Sequence, residues 1–326
     1  IEHYLDVLAA ALPAALAFRL YGNLNQSLGR PKAVTWVQLL GLACKIPLSA
    51  LLTFGWSDHS GLGVVGCALA TLIVNWLMAA FALLALQRGN YGDLHLWRRI
   101  EPPDPSKISA MLRLGLPNAG SITVEVTSYT LMALLISRLG STAAASHQIM
   151  SNMGALLYMV PLSLSIATSA RVSYWIGAGQ PPKARLAIRH GLGWIVTCMA
   201  VTASLLALFK TPIARLYIEN EVVVEMASQL LGWLVWYQSV DALQVFFFFM
   251  LRCYRVTIWP MLIYAVLLWG VGLTGGYTLA YHGLLGSPAL LSPQAFWISS
   301  STALTVVSAS LGVLLVWVLR TKARGH

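Results

Sequence analysis

Two carboxylates lie inside stretches that otherwise read as lipid-buried helix: Glu125 in ITVEVTSYTLMALLI and Asp241 in WLVWYQSVDALQVFFFFM. A carboxylate at mid-membrane costs about 2.5–3.5 kcal/mol on insertion scales, so such residues are rare and usually mark an ion or substrate path. The chain has only 11 Asp plus Glu in 326 residues, which makes two at membrane depth, on different segments, its best functional clue. At helical spacing Ser121, Glu125, Ser128 and Tyr129 share one face, with Ile122, Val126, Thr130 and Leu131 opposite. Tyr237, Asp241 and Gln244 likewise fall at i−4, i and i+3. Each segment therefore offers a carboxylate flanked by hydroxyl or amide groups. Hard cations such as Na+ take oxygen ligands, and the same carboxylates could instead take a proton. The competing reading is a protonated or paired acid that holds helices together.

Other polar residues are odd in place. Lys45 sits near the middle of LLGLACKIPLSALL, too deep to snorkel easily to either surface. It should face a cavity or pair with a carboxylate, or else occupy a packing site with water access. Arg19 is similar, although polar Asn23, Asn25 and Gln26 lie just beyond it. His147 begins the fifth apolar segment, with Ser151 one turn on, and reads as a hydrogen-bonding helix-start residue; no second ligand stands near it for a metal. Cys44, Cys67, Cys198 and Cys253 all lie in or at the end of apolar segments without CxxC or Cys/His spacing, so they read as packing residues, not disulfides or zinc ligands. There is no phosphate-binding or dinucleotide glycine motif and no Ser/His/Asp set. GAGQPPKAR is a turn, not a phosphate loop, so an enzyme or a direct user of ATP is not expected and no cofactor is called for.

The elements that must position these groups are transmembrane helices. Hydrophobic residues make up 58% and charged residues 10% of the chain, against about 25% charged in soluble domains. With a mean hydropathy of +0.71 this is an all-α polytopic membrane protein. A bilayer core about 30 Å thick needs about 20 apolar residues per helix. Nine segments qualify, near 4–28, 33–54, 63–87, 117–138, 146–172, 187–209, 222–250, 257–281 and 294–319. When the 21 Lys and Arg are sorted by alternating helix direction, Arg138, Lys210 and Arg215 fall on one side. Arg19 and Lys45 fall within helices, and all the others lie on the opposite side. The positive-inside rule makes that basic side, and with it the C-terminus, cytoplasmic. The net charge of +10 is thus explained by topology rather than by nucleic-acid binding. Residues 88–113 read as a cytoplasmic linker, with Pro102, Pro103 and Pro105 preventing a continuous helix. It separates three helices in 1–87 from six in 114–326. The seventh to ninth helices loosely echo the first three (SLGRPKA against LRCYRVT), as in the internal repeats common in transporters. A six-helix repeat, and a chain that starts at Ile1, would mean that three helices are missing ahead of it.

These stretches together resemble the multidrug and toxic compound extrusion (MATE) family, NorM-type branch. The matching segments include LPAALAFRLYGNLNQSLGRPKAVTWVQLLGLACKIPL, GLGVVGCALATLIVNW, LRLGLPNAGSITVEVTSYTLMALLISRLGSTAAASHQI, YMVPLSLSIATSARVSYWIGAG, YIENEVVV, YQSVDALQV and LRCYR, in order over nearly all of the chain. The resemblance implies a two-lobe bundle with nine of an expected twelve helices present, in which 1–87 is the second half of the N-lobe and 114–326 the C-lobe. It implies an antiporter in a bacterial inner membrane that exports cationic or amphipathic drugs in exchange for Na+ or H+; the sequence gives no reason to expect an obligate oligomer, so a monomer is expected. Carried over residue by residue, the family's C-lobe cation site falls on Glu125, Tyr237 and Asp241; the helix faces and the misplaced lysine read above add Lys45, Ser121, Ser128, Tyr129 and Gln244 as cavity candidates. The chain departs from the family pattern at Lys45, where Asn is frequent, and at Gly22 and Gln26, where Arg and an acid are frequent. Lys45 could pair with an acid of the family's first helix and silence a cation site in the N-lobe. Two rivals remain: a flippase for lipid-linked precursors, which would need a basic cavity, and an inactive fragment.

Overall fold

The computed structural model describes residues 2–55, 61–87, 102–283 and 288–324. Among these, nine helices are long and apolar enough to cross a bilayer. We number them α1 (Glu2–Ser27), α2 (Pro31–Phe54), α3 (Val64–Gln87), α4 (Pro105–Ser137), α5 (Ser141–Gly177), α6 (Pro181–Tyr217), α7 (Glu221–Cys253), α8 (Ile258–Tyr281) and α9 (Gln294–Arg324). The expected segments are all present, but α4, α5 and α6 run well past the apolar stretches that define them. Hydropathy finds the part of a helix in hydrocarbon, whereas caps decide where it ends. Pro105 does not break α4; it occupies the first turn, where its missing N–H has no partner to lose. The Asp104 carboxylate accepts from the N–H groups of Ser106 and Lys107 at 2.9 and 3.4 Å. Of the expected linker 88–113, residues 88–101 lie outside the described residues, and from Pro105 onward it is helix. Asn220 caps α7 in the same way, accepting from Val222 and Val223.

The chain divides into two compact units, Ile1–Pro103 and Asp104–His326. In the first, α1 and α2 both pack on α3 around Phe18, Tyr21, Val37 and Ala82. The Trp76 indole N–H donates to the Ala10 carbonyl at 3.2 Å. Cys44 and Cys67 are exposed here, which corrects their reading as packing residues, while Cys198 and Cys253 are half-buried. The four are free thiols.

In the second unit α7 is the central helix, packed against α5, α6 and α9. Leu208 and Val222 remain 74% and 65% exposed on the outside of the unit, as lipid-facing side chains should be. Lipid offers apolar groups as good a home as the core does, so helices associate through close packing and small residues. Gly191 illustrates this: a Cβ there would meet Thr168 Oγ1 at 2.7 Å and the Phe246 ring at 3.1 Å, so only glycine lets α6 seat this closely on α5 and α7.

Two apolar clusters fill the unit. One includes Met132, Ile136, Met150, Leu230, Leu234 and Trp297. The other includes Val172, Ala242, Phe246, Met250, Leu304 and Leu311. Along α5, α7 and α9 a polar interval separates the two, and Tyr237 packs against both. The helix α8 is not uniform: Val266–Thr274 winds as a π-helix between two α-helical parts. Such wide turns appear frequently at functional sites, and this one adjoins the polar interval.

Candidate cation cavity

The polar interval encloses a cavity of about 300 Å³ inside the second unit. α4 contributes Glu125, Ser128 and Tyr129; α5 contributes Ser151 and Tyr158; α7 contributes Tyr237, Gln238 and Asp241; α8 contributes Tyr264; α9 contributes Trp297 and Ser300. Two carboxylates 116 positions apart in sequence thus share one space because α4 and α7 each turn their polar stripe toward it. The stripe on α4 is only partly selective: Glu125, Ser128 and Tyr129 line the cavity, but so do Val126 and Thr130 from the face read as opposite. Ser121 and Ser128 are buried and Glu125 and Tyr129 half-buried, while Ile122, Val126 and Leu131 opposite are exposed. Asp241 is only 6% exposed.

Neither carboxylate has a basic side chain within ion-pair distance among the described residues. The ion pairs found there, Lys107–Asp104 and Arg215–Glu221, sit at helix ends. What faces the acids is neutral and oxygen-rich. Tyr264 and Tyr129 line the same cavity as Glu125 and Ser151. Among the described residues no three of His, Cys, Asp and Glu converge. The donor set is therefore two carboxylates plus phenols and hydroxyls, which suits a hard monovalent cation or a proton better than a soft metal.

Aromatic packing holds the set in place. Trp297, 1% exposed, meets Tyr237 edge-on at 5.0 Å and Tyr129 at 6.1 Å. His147 packs on the same indole at 5.6 Å. Because α5 starts at Ser141, His147 lies nearly two turns into the helix rather than at its start. Its Nε2 is 3.3 Å from Ser151 Oγ, the partner its spacing suggests. Two buried donors of lining residues, Gln238 Nε2 and Trp297 Nε1, have no acceptor among the described residues. The π-turn braces the site from behind. Trp269 Nε1 donates to the Val124 carbonyl at 3.2 Å, one residue from Glu125, and Ser299 Oγ donates to the Val271 carbonyl at 2.6 Å.

Not every expected residue reaches the cavity. Ser121 is buried one turn from Glu125 and donates to the Pro117 carbonyl at 3.0 Å, outside the lining. Gln244 is buried a turn beyond Asp241, also outside it. A shared helix face runs the length of a helix, whereas this cavity is shallow along the axis. Lys45 is half-exposed on α2 and Arg19 is exposed on α1, both within the first unit. No carboxylate among the described residues pairs with either. Conversely, Tyr158, Gln238, Tyr264, Trp297 and Ser300 line the cavity without having been singled out in the sequence. A lone tyrosine in an apolar span, as in ALLYMVPL or MLIYAVLLW, was the available signal. It is weak, because tyrosine is also at home at membrane interfaces.

Comparison with known proteins finds the MatE family profile over residues 117–278. The probable multidrug resistance protein NorM of Aromatoleum aromaticum is 37% identical over 320 residues, covering 97% of this chain and 68% of the relative. The multidrug resistance protein NorM of Vibrio cholerae is 32% identical, covering 96% and 69%. Among solved structures, an outward-facing multidrug resistance MATE family transporter superposes with a TM-score of 0.86 at 17% identity, over 99% of this chain and 70% of that one. A eukaryotic MATE transporter gives 0.84 at 20% identity, over 98% and 70%. The structures establish the shared fold, and the curated relatives carry the identity over two thirds of their own length: this multi-pass membrane protein belongs to the MatE family.

Proposed function

We propose that the protein is a secondary active antiporter that exports organic cations or drugs in exchange for Na+ or H+, with Glu125, Tyr237 and Asp241 as the coupling-cation site. One observation carries the reading: two acids line one cavity at membrane depth with no basic partner within ion-pair distance among the described residues. Two uncompensated negative charges are costly in a low-dielectric site, so the site is completed by a cation that arrives from solution. That cation stabilises the arrangement of helices that encloses it. A cationic substrate that needs the same carboxylates competes with it, and this competition couples inward ion flow to outward drug flow. The names of the relatives, multidrug resistance proteins, point to the same substrate class. In this reading 1–87 belongs to one lobe, 88–113 is the cytoplasmic connection, and 114–326 is the other lobe. The protein is a monomer in a bacterial inner membrane with its C-terminus cytoplasmic. A lipid-precursor flippase is not favoured, because among the described residues no Lys or Arg lines the cavity.

The test is ethidium movement in everted vesicles under an imposed Na+ or H+ gradient, paired with direct cation binding to the purified chain. Gradient-driven transport that is lost in Glu125→Gln supports the proposal and names the ion. Cation binding that is equal in wild type, Glu125→Gln and Asp241→Asn overturns the site. Because the cavity lies wholly within one unit, the binding measurement judges it whatever the vesicles show.

A further inference from the structure

A second, larger recess lies on the outer surface of the unit, between α7 and α9, and it is separate from the cation cavity. Its volume is about 710 Å³. Leu243 and Phe247 form one wall, small Ala309 and Gly312 form the floor, and Trp317 and Arg320 stand at one end. The small floor residues make the groove: the Phe247 ring lies 3.3 Å from where a Cβ on Gly312 would be. Almost all of the lining is apolar, and its one charged member is Arg320, which has no carboxylate partner among the described residues. We propose that this groove binds one anionic phospholipid of the cytoplasmic leaflet, with an acyl chain along Ala309 and Gly312 and the phosphate on the Arg320 guanidinium. The choice of leaflet rests on the orientation given by the basic side of the chain.

Three features select this occupant. First, from Thr305 to Arg320 the groove follows α9 for 15 residues, about 22 Å at the helical rise. One leaflet with its headgroup layer is about 20–22 Å thick. Secondly, the ordering matches a lipid: an apolar length, then an indole 61% exposed at Trp317, then a cation. Tryptophan gathers at the headgroup boundary, and a guanidinium pairs with phosphate oxygens in a fork. Thirdly, basic pockets between transmembrane helices on the cytoplasmic side recognise anionic headgroups. The groove also touches the transport machinery. Val240 lines it while the adjacent Asp241 lines the cation cavity, so α7 is the wall between the two. A lipid seated in the groove holds the cytoplasmic half of α7 against α9 and thereby supports the geometry of Asp241.

Native mass spectrometry of the delipidated, detergent-purified chain tests this, with phosphatidylglycerol and phosphatidylethanolamine of identical acyl chains as probes. Wild type should retain one phosphatidylglycerol about fivefold more tightly than phosphatidylethanolamine, the preference one Arg near the headgroups gives. Arg320→Gln should abolish that preference. Ala309→Phe, a substitution at an exposed position, should block both lipids. Equal retention of the two lipids by wild type overturns the proposal, as does phosphatidylglycerol binding that survives Ala309→Phe unchanged. A dimer that Ala309→Phe dissociates would also overturn it, since a second copy would then be the occupant. If Arg320→Gln does not fold, the wild-type preference and the Ala309→Phe result still decide.

Discussion

Replacing Asp241 by Asn separates a cation site from a structural acid. The two side chains have nearly the same shape, and Asp241 is 6% exposed with no basic neighbour among the described residues, so the change removes charge and leaves packing intact. Without ligand the variant sheds a buried carboxylate that costs about 2.5–3.5 kcal/mol in a membrane, and its thermal stability should hold or rise. With ligand the order reverses. Removing one partner of a buried charge pair costs about 2–5 kcal/mol, so cation affinity should fall by about 30-fold or more. At a cation concentration 100 times the wild-type Kd, binding stabilises the wild type by about 2.7 kcal/mol. The variant then sits near three times its own Kd and gains only about 0.9 kcal/mol by the same relation. At about 2–4 °C per kcal/mol for a unit of this size, the cation should raise Tm by about 5–11 °C in wild type and about 2–4 °C in Asp241→Asn. The assay is thermal unfolding in detergent, with NaCl titrated against choline chloride at constant ionic strength and repeated at two pH values to separate Na+ from H+. An identical cation-induced rise in both proteins would refute the reasoning, because Asp241 would then be an acid that merely packs.

Three further substitutions probe other parts of the argument. Tyr237→Phe keeps the edge-on contact with Trp297 and deletes one hydroxyl; losing a hydrogen bond to a charged group is worth about 1.5–3 kcal/mol, so cation affinity measured by calorimetry should drop at least tenfold with ligand-free Tm unchanged. Gly191→Val drives a side chain into Thr168 and Phe246; overpacking costs about 1–3 kcal/mol, and Tm should fall by at least about 2 °C, with no change expected only if α6 is free to move away. Lys45→Asn alters a residue of the other compact unit, so cation affinity should stay within about twofold of wild type, and a larger change would overturn a cation site confined to the second unit.

How much the sequence disclosed follows from the physics of each feature. Nine helices long and apolar enough to cross a membrane among the described residues, and two acids set within such segments, Glu125 and Asp241, were legible from the residues alone. Hydrocarbon penalises polarity so strongly that length, apolarity and misplaced charge need no partners to be read. The face shared by Glu125, Ser128 and Tyr129 followed from the 3.6-residue period, a local property of one helix. Ends were less legible: α4 extends back to Pro105 because Asp104 caps it, a hydrogen-bonding event that hydropathy does not register. The π-turn at Val266–Thr274 left no mark in an evenly apolar segment. Only the tertiary structure decided which polar groups meet. Tyr158, Tyr264 and Trp297 join the two acids, while Ser121 and Gln244 stay out of the cavity. Convergence depends on where helices distant in sequence cross and how far along its axis each faces the others, and no residue carries that information by itself.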